Sequence, residues 1–228
     1  MLSVRSLFPV LSKSDADIDS KKAVFLGKTD VDFDAKQYDL IKSQSKASKI
    51  FRMSFFLTDK NKLVFTAPCG PDKSEGLDDL SFCVHAGLSL LRRLGLDPKI
   101  GIISGGRQGD LGRSAVVDQT IHDAESLLHL LQKENISAKH YTILIEDAVK
   151  DVDFLILPDS LSGEMILKTV AGIGAGREIG NVLLLKKGNG KENGKETDAK
   201  ELLFIEQITK NANEEDALIL REAFLKSF

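Results

Sequence analysis

The sequence predicts an α/β fold in which a mainly parallel sheet is flanked by helices. Two short runs are apolar over their central residues, KIGII at residues 99–103 and DFLILPD at 153–159. Both have the composition of strands covered on both faces. Between such runs, apolar residues recur at steps of three and four, which is typical of amphipathic helices. Strands that alternate with helices along a chain favour a parallel sheet with helices on its faces.

Short apolar runs also mark the earlier part of the chain. AVFLG at 23–27 predicts a short strand, and FDAKQYDLIKSQ at 33–44 predicts a helix. MSFFLT at 53–58 and KLVFTA at 62–67 are split by the turn-like residues DKNK, which is typical of two antiparallel strands. We therefore expect one antiparallel pair in the sheet.

Two long helices are predicted from one-sided apolar spacing. The first runs from the segment after Gly76 to near Gly95, and the second follows a glycine-rich loop. Their apolar faces consist of Leu77, Leu80, Val84, Leu88 and Leu91 in the first helix and of Val117, Ile121, Ala124, Leu128 and Leu131 in the second.

The later strands are read in the same way. YTILI at 141–145 and NVLLL at 181–185 are candidate strands. Pro158 ends the run DFLILPD, and Asp159 or Ser160 is placed to cap the helix LSGEMILKTVAG that follows.

The segment KKGNGKENGKETDAK, residues 186–200, differs from the rest in composition. It has no apolar residue before its final alanine, so it buries too little surface to offset the entropy of ordering, and we expect a mobile loop. The last residues, 214–228, resume as an amphipathic helix. The resulting domain expectation is a poorly defined N-terminal segment at 1–50 and one α/β domain at 51–228.

Composition excludes several classes of function. The 228 residues carry 31 basic and 34 acidic side chains, a net charge of -3, which argues against nucleic-acid binding. Cys69 and Cys83 are not in a CxxC or Cys/His spacing, which indicates a reducing, cytoplasmic setting and no zinc site. No apolar run approaches the ~18 residues of a membrane-spanning helix.

The loop SGGRQGDLGRS at 104–114 is the candidate functional site. It follows a buried strand, and ligands of open α/β sheets bind beyond the carboxyl ends of strands. Glycines let backbone N–H groups turn around an anion, arginines add charge, and the next helix adds the positive end of its dipole. A phosphate- or carboxylate-bearing ligand would be held by Ser104, Gly105, Gly106, Arg107, Gly109, Asp110 and Arg113. The alternative is a tight turn between strand and helix, with Asp110 or Ser114 as the helix cap.

A second glycine run, GIGAG at 172–176, is similar to the cofactor loop of methyltransferases that bind S-adenosylmethionine. Its context differs, because a helical pattern precedes it, a strand follows, and Ala171 stands where an acidic residue is expected. A helix-to-strand connection is the favoured interpretation. His122 and His129 share a helix, but no third metal ligand accompanies them.

The succession FFLTDKNKLVFTAPCGPDKSEGLDDL, LGLDPKIGIISGGRQGDLG and DVDFLILPDSLSGEMILKTVAGIGAGREIGNVLLL resembles the phosphate acetyl/butyryltransferases. The loop SGGRxGDxGR within such a chain more closely resembles the MtxX family of methanogenic archaea, a family of methyltransferase subunits. The likeness implies a phosphotransacetylase fold of the isocitrate/isopropylmalate dehydrogenase-like type.

The resemblance also implies site residues and partners. Pro158, Asp159 and Gly163 stand where the acyltransferases have their FPDxxxGN segment, which adds Asp159 to the candidate ligand-binding residues. The asparagine of that segment is Glu164 here, and the Ser-Arg-Gly segment of the acyltransferases is missing. No catalytic residue and no cofactor is therefore carried over. The MtxX resemblance implies partner subunits of the A and H types, and the related acyltransferases imply a homodimer.

Three functions follow from these observations. The first is a subunit of a methyl-transfer complex that holds an anionic group in the glycine loop. The second is a non-catalytic anion-binding or regulatory module, which the missing Ser-Arg-Gly segment favours. The third is an enzyme acting alone on an acyl phosphate, in which Ser104 would contact the phosphoryl group and Arg107 and Arg113 would neutralise its charge.

Overall fold

The computed structural model describes residues 23–28, 35–187 and 203–207. The strands in this part are β1 (Ala23–Lys28), β2 (Ala47–Leu57), β3 (Leu63–Cys69), β4 (Ile100–Ile102), β5 (Ala138–His140), β6 (Phe154–Ile156), β7 (Arg177–Lys187) and β8 (Leu203–Gln207). The α-helices are α1 (Ala35–Ser45), α2 (Gly76–Arg93), α3 (Ala115–Lys133), α4 (Ile145–Asp151) and α5 (Ser160–Gly172). None of these helices is long and apolar enough to cross a membrane.

The described strands form one mixed sheet in the order β1-β8-β7-β2-β3-β6-β4-β5. Strands β3, β6, β4 and β5 run parallel to one another, and β1 runs parallel to β8. Strand β2 is antiparallel to both β3 and β7, and β7 is antiparallel to β8. The α/β class and the antiparallel pair predicted from the sequence are thereby confirmed.

The helices cover both faces of the sheet, and this arrangement creates the cleft described below. Helices α2 and α3 pack on one face, where Leu91 and Leu127 are fully buried. Helices α4 and α5 pack on the other, where Ala148 and Leu167 join a separate core. The chain therefore leaves β3 toward one face and leaves β6, the neighbour of β3, toward the opposite face. Such a reversal is a topological switch point.

The two long predicted helices are confirmed as α2 and α3, and GIGAG is confirmed as a helix-to-strand connection. The strand predicted at YTILI is wrong. The strand there is Ala138–His140, after which Thr142 adopts a left-handed backbone with φ of 56° and Ile145 begins α4. Tyr141 is buried although it lies outside any strand, so the apolar composition of the run does not distinguish a strand from a turn.

Several predictions fall on other parts of the chain. The predicted loop at 186–200 lies outside the described residues, except for Lys186 and Lys187, which belong to β7. The helix predicted at 214–228 also lies outside them. Strand β8 was not predicted.

Gly163 allows α5 to approach the end of β3 closely. A Cβ atom at this position would lie 2.2 Å from the carbonyl oxygen of Pro68 and 2.8 Å from Sγ of Cys69. Both contacts are far inside van der Waals distance, and the first involves backbone, which cannot move aside as a flexible side chain can. The residue at 163 is therefore fixed by packing between helix and strand.

Replacing Gly163 by alanine is expected to destabilise the protein by about 1–3 kcal/mol, because the clash outweighs the better helix propensity of alanine. The measurement is the urea concentration at the midpoint of unfolding, and the dependence of the free energy of unfolding on urea should be the same for both proteins. Gly172→Ala is the matched control in the same helix, since nothing lies within 4 Å of the added methyl group. Equal midpoints for the two variants would contradict the packing argument.

Asp79 ties α2 to the sheet. Its Oδ2 accepts hydrogen bonds from Nζ of Lys49 at 2.6 Å and from the backbone N–H of Glu75 at 2.8 Å. Its Oδ1 accepts from Nζ of Lys186 at 2.6 Å. Burial acts to raise the pKa of Asp79, but the hydrogen bonds from Lys186, Lys49 and Glu75 outweigh it, and the pKa is lowered. The ionised carboxylate therefore stabilises the fold.

The stability that Asp79 supplies should depend on pH. The pKa of Asp79 is lower in the folded chain than in the unfolded chain. Its contribution to stability is therefore full above the unfolded-state pKa of about 4 and is lost as the pH falls through the folded-state pKa. Asp79→Asn should cost about 2 kcal/mol near neutral pH and progressively less in acid. Urea unfolding of both proteins from about pH 7 to about pH 3 measures this convergence.

Asp97→Asn serves as the control, since the Asp97 side chain is 92% exposed and lies 3.9 Å from Nε of Arg92. If the difference in the free energy of unfolding between Asp79→Asn and the unchanged chain stays constant with pH, the ionised carboxylate is not the source of the stabilisation.

Candidate functional site

A cleft of about 770 Å³ opens at the switch point between β3 and β6. The loop after β3, residues 70–76, forms one wall, and the turn at 158–161 after β6 forms another. The first two turns of α3 close the third side, through Ala115, Val116, Gln119, Thr120 and Asp123. The cleft therefore lies beyond the carboxyl ends of parallel strands, where open α/β sheets bind ligands.

The base of the cleft is held by a reciprocal pair of serines. The N–H of Ser74 donates to Oγ of Ser160 at 3.2 Å, and the N–H of Ser160 donates to Oγ of Ser74 at 2.9 Å. Both residues are buried. The two loops that diverge to opposite faces are thus joined directly where they separate.

Asp159 has the role predicted for a helix cap. Its Oδ1 accepts the N–H of Ser162 at 2.7 Å, and its Oδ2 accepts the hydroxyl of Ser162 at 3.0 Å. The residue lines the cleft, but both of its oxygens are engaged with the first turn of α5. A ligand at this point would meet a carboxylate whose charge already faces the positive end of the helix.

The cleft carries more acidic than basic side chains. The charged lining residues are Asp72, Glu75, Asp123, Asp159, Glu164 and Lys73. Nζ of Lys42 lies 2.6 Å from Oδ1 of Asp72, and Nη2 of Arg52 lies 2.5 Å from Oε1 of Glu164. Because these cations stand beside the carboxylates, the cleft is much less negative than the number of its acids suggests.

The start of α3 presents backbone donors to the cleft. Ser114 occupies the capping position, yet its side chain makes no capping hydrogen bond. Within the described part of the chain, no acceptor is bonded to the N–H groups of Ala115 and Val116. Such groups, together with the helix dipole, favour an anion. Lys73 lines the cleft as well, with its side chain 82% exposed.

Ser104 is used inside the protein. It is 1% exposed, and its hydroxyl lies 2.9 Å from the carbonyl oxygen of Gly106 and 2.9 Å from Nε2 of His140. Only a donor can bond the carbonyl, so the hydroxyl donates to Gly106 and accepts from His140. Burial lowers the pKa of His140, with Glu125 acting in the opposite direction. The pair holds the loop against β5.

The rest of the glycine loop is also held by its own side chains. The N–H of Arg107 donates to Oδ2 of Asp110 at 2.9 Å, and the N–H of Gly112 donates to the carboxylate of Asp118 at 3.0 and 3.1 Å. Nη1 of Arg113 lies 3.1 Å from Oδ1 of Asp110. In this loop, carboxylates of the chain therefore bond two of the amides, those of Arg107 and Gly112.

The predicted site residues therefore lie in two places. Asp159 lines the cleft, whereas the loop residues stand beside it and reach it only through α3, which they position. Among the loop residues, Ser104 and Gly106 are buried, Gly105 and Asp110 are half-buried, and Arg107, Gly109 and Arg113 are exposed.

Sequence reasoning missed the wall formed by residues 70–76 and the partner of Ser104, which is His140. The segment GPDKSEG after the strand KLVFTA is a turn-rich loop at a strand end, and that signal was available. Nothing in the local sequence marks His140.

The described residues hold no cluster of three or more His, Cys, Asp or Glu side chains that could bind a metal ion. Cys69 and Cys83 are buried, and burial raises the pKa of both thiols. Neither cysteine is therefore a nucleophile in this state.

The sheet order defines an α/β fold that is also found in solved phosphotransacylases. A branched-chain phosphotransacylase from Enterococcus faecalis V583 has the same fold, with a TM-score of 0.63 at 14% identity over 99% of this chain and 78% of that one. At this identity the likeness concerns the fold alone. No protein-family model matches the chain.

The resemblance to the MtxX family is confirmed by curated relatives. A protein of Methanosarcina mazei named "Putative methyltransferase mtx subunit X" is 40% identical over 154 residues, which is 66% of this chain and 55% of that protein. The protein of the same name from Methanosarcina barkeri is 39% identical over 137 residues, or 60% and 51% of the two chains. The chain thus spans about half the length of these relatives.

Thr120 anchors the glycine loop to α3, and its removal should be measurable. Its Oγ1 accepts the N–H of Gly105 at 2.8 Å and donates to the carbonyl of Val117 at 2.7 Å. Thr120→Val keeps the shape but leaves the amide of Gly105 without an acceptor, and should cost about 1–3 kcal/mol in urea unfolding. Thr169→Val, at an exposed helical threonine bonded only to the carbonyl of Met165, should cost far less.

Proposed function

We propose that this chain is a subunit of a methyl-transfer system and that it binds a phosphate- or carboxylate-bearing small molecule in the cleft between β3 and β6. The cleft at the switch point carries this proposal, because it combines a ligand-sized volume with the start of α3. The similarity to relatives named as methyltransferase subunits supports the kind of process. A cytoplasmic setting and partner subunits of the A and H types belong to the same proposal.

The anionic group of the ligand is placed at the start of α3. The N–H groups of Ala115 and Val116 supply donors, and Lys73 on the facing wall supplies a positive charge that lies 3.4 Å from Oε1 of Glu75. Three of the five acids oppose this placement little, because Asp72 and Glu164 are paired with cations and Asp159 caps α5. Of the other two, Glu75 is paired with Lys73, and Asp123 accepts a hydrogen bond from Gln119.

The body of the ligand meets apolar side chains. Val116 is 76% exposed on α3, and Leu161 is 72% exposed on α5, so both walls of the cleft offer large apolar surface. Burying such surface under a ligand is favourable at about 25 cal/mol per Å². A ligand with one anionic end and an apolar or aromatic body fits both features.

In this proposal the glycine loop contributes to ligand binding indirectly, by holding the start of α3 in place. Its bonds through Ser104, Asp110 and Thr120 fix where α3 begins, and the start of α3 contacts the ligand. Arg107 is exposed, and its contribution to affinity is a separate question that the variant Arg107→Ala answers.

The test is thermal unfolding with phosphate, acetyl phosphate, coenzyme A and S-adenosylmethionine. A ligand at about 100 times its Kd stabilises the fold by about 2.7 kcal/mol, which for a chain of this size raises the midpoint by roughly 5–10 °C. Val116→Trp should fill the cleft from an exposed position and remove the shift. Ile173→Trp, at an apolar side chain that is 87% exposed outside the cleft, should retain it.

The outcomes separate the candidate functions. A shift with phosphate compounds that Val116→Trp removes supports the cleft, and its further loss in Arg107→Ala would add the glycine loop to the ligand contacts. A shift with S-adenosylmethionine alone, unaffected by Val116→Trp, contradicts the placement. The absence of any shift would refute small-molecule binding of these classes and favour partner subunits as the ligands.

The subunit role has its own measurement. Affinity isolation of the tagged chain from its native extract should recover methyltransferase subunits of the A and H types with it. Recovery of the chain as a lone monomer would contradict the role in a complex and favour a protein that acts alone.

A further inference from the structure

A second pocket, of about 380 Å³, lies on the opposite side of the sheet from α2 and α3. Helices α4 and α5 contribute to its lining, together with the end of β2 and the glycine run between α5 and β7. The last two are neighbours, because Leu57 pairs with Arg177 in the sheet. It shares no lining residue with the cleft.

The interior of the pocket is apolar. Phe56 contributes a ring that is only 2% exposed, and Ile145, Val149, Ile166 and Val170 continue the same surface along the two helices. Met165 stands at the opening with 63% of its surface exposed. A pocket of this size and composition is typical of a site for a small molecule.

The charged residues in the lining of the pocket are negative. They are Asp59 and Glu146, and both are exposed. The last turn of α5 also lines the pocket, but the carbonyl oxygens of Thr169 and Val170 accept N–H groups of residues 173, 174 and 176. The cation Arg177, which follows this run, donates from Nη2 to Oδ1 of Asn61 at 3.1 Å.

The nearby cation Lys62 does not offset this charge at the pocket. Its Nζ donates to the carbonyl oxygens of Val149, Lys150 and Val152 at 2.9, 3.1 and 2.6 Å. The ammonium group is therefore directed to the end of α4.

The GIGAG run, which the sequence singled out, forms part of the lining of the pocket. A Cβ atom at Gly176 would lie 2.4 Å from Cγ1 of Val170 and 2.9 Å from the carbonyl oxygen of Leu57. Only glycine lets the chain pass this closely between α5 and the end of β2. The glycines thus act in the packing of the pocket wall, and no nucleotide-binding loop is required to explain them.

We propose that this pocket binds a small organic cation, a protonated or quaternary amine with an apolar body. The apolar interior receives the body, and the carboxylates of Asp59 and Glu146 favour the positive charge. The size of the pocket and its position between two helices point to a small molecule as the occupant. This inference does not rest on the proposed function, because it concerns another pocket and a ligand of opposite charge.

The experiment uses choline and its neutral isostere 3,3-dimethylbutan-1-ol, which differ in the charge of one central atom. Titrations of the full chain are followed through the methyl resonances of Val149, Ile166 and Val170. We expect choline to shift these resonances and to bind about fivefold tighter than the alcohol, since each exposed carboxylate contributes modestly. The anion 3,3-dimethylbutanoate should bind more weakly than either.

Two variants and a control complete the design. The double variant Asp59→Asn, Glu146→Gln should reduce the preference for choline to near onefold, and Thr169→Trp should block the pocket for all three probes. Asp147→Asn removes a carboxylate of the same helix that lies outside the lining and is paired with Lys150, and it should change nothing.

Equal affinities for choline and the alcohol would overturn the assignment of a cation. Unchanged pocket resonances with all three probes, or shifts confined to residues outside the pocket, would overturn the site itself. Neither result bears on the cleft between β3 and β6, which is tested with anions and with Val116→Trp.

Discussion

Two adjacent parallel strands, β3 and β6, send the chain to opposite faces of the sheet, and the rest of the site depends on this divergence. The loops after the two strands cannot pack against each other along their length, so a space opens between them. The reciprocal hydrogen bonds of Ser74 and Ser160 join them at their base, and Gly163 lets α5 lie directly on the end of β3. The cleft is therefore a product of topology, and its side chains are placed on a frame that the core already determines.

Charge in the cleft is arranged in pairs. Asp72 and Glu164 line the cleft, and each is paired with a cation from outside the lining, Lys42 of α1 and Arg52 of β2 respectively. Asp159 is balanced by the start of its own helix. At the start of α3, the N–H groups of Ala115 and Val116 have no acceptor within the described residues, while Asp118 in the same turn bonds the N–H of Gly112. In the glycine loop, the amides of Gly105, Arg107 and Gly112 are bonded by a hydroxyl and by carboxylates of the chain itself.

The elements with strong periodicity could be predicted from the sequence, and those that depend on distant contacts could not. Helices α2 and α3 follow from apolar spacing, and the cap at Asp159 follows from its place after a strand. The strand predicted at YTILI was wrong because an apolar composition does not require burial in a sheet: Tyr141 is buried, but Ile143 is 46% exposed in the turn. The anion-binding reading of the glycine loop depended on which partners its amides find, and Asp118 and His140 lie beyond the loop in the sequence. The wall at residues 70–76 joins the site only through sheet topology.

The serine pair at the base of the cleft has a consequence for how the sequence can change. Each hydroxyl accepts a hydrogen bond from the backbone N–H of the other residue, and both residues are buried. Losing either hydroxyl therefore leaves a buried N–H of the opposite loop without an acceptor. Substitutions at positions 74 and 160 are therefore coupled, although the two sites lie 86 positions apart in the sequence. Drift through single changes at either position passes through a less stable intermediate, which keeps the two loops evolving as one unit.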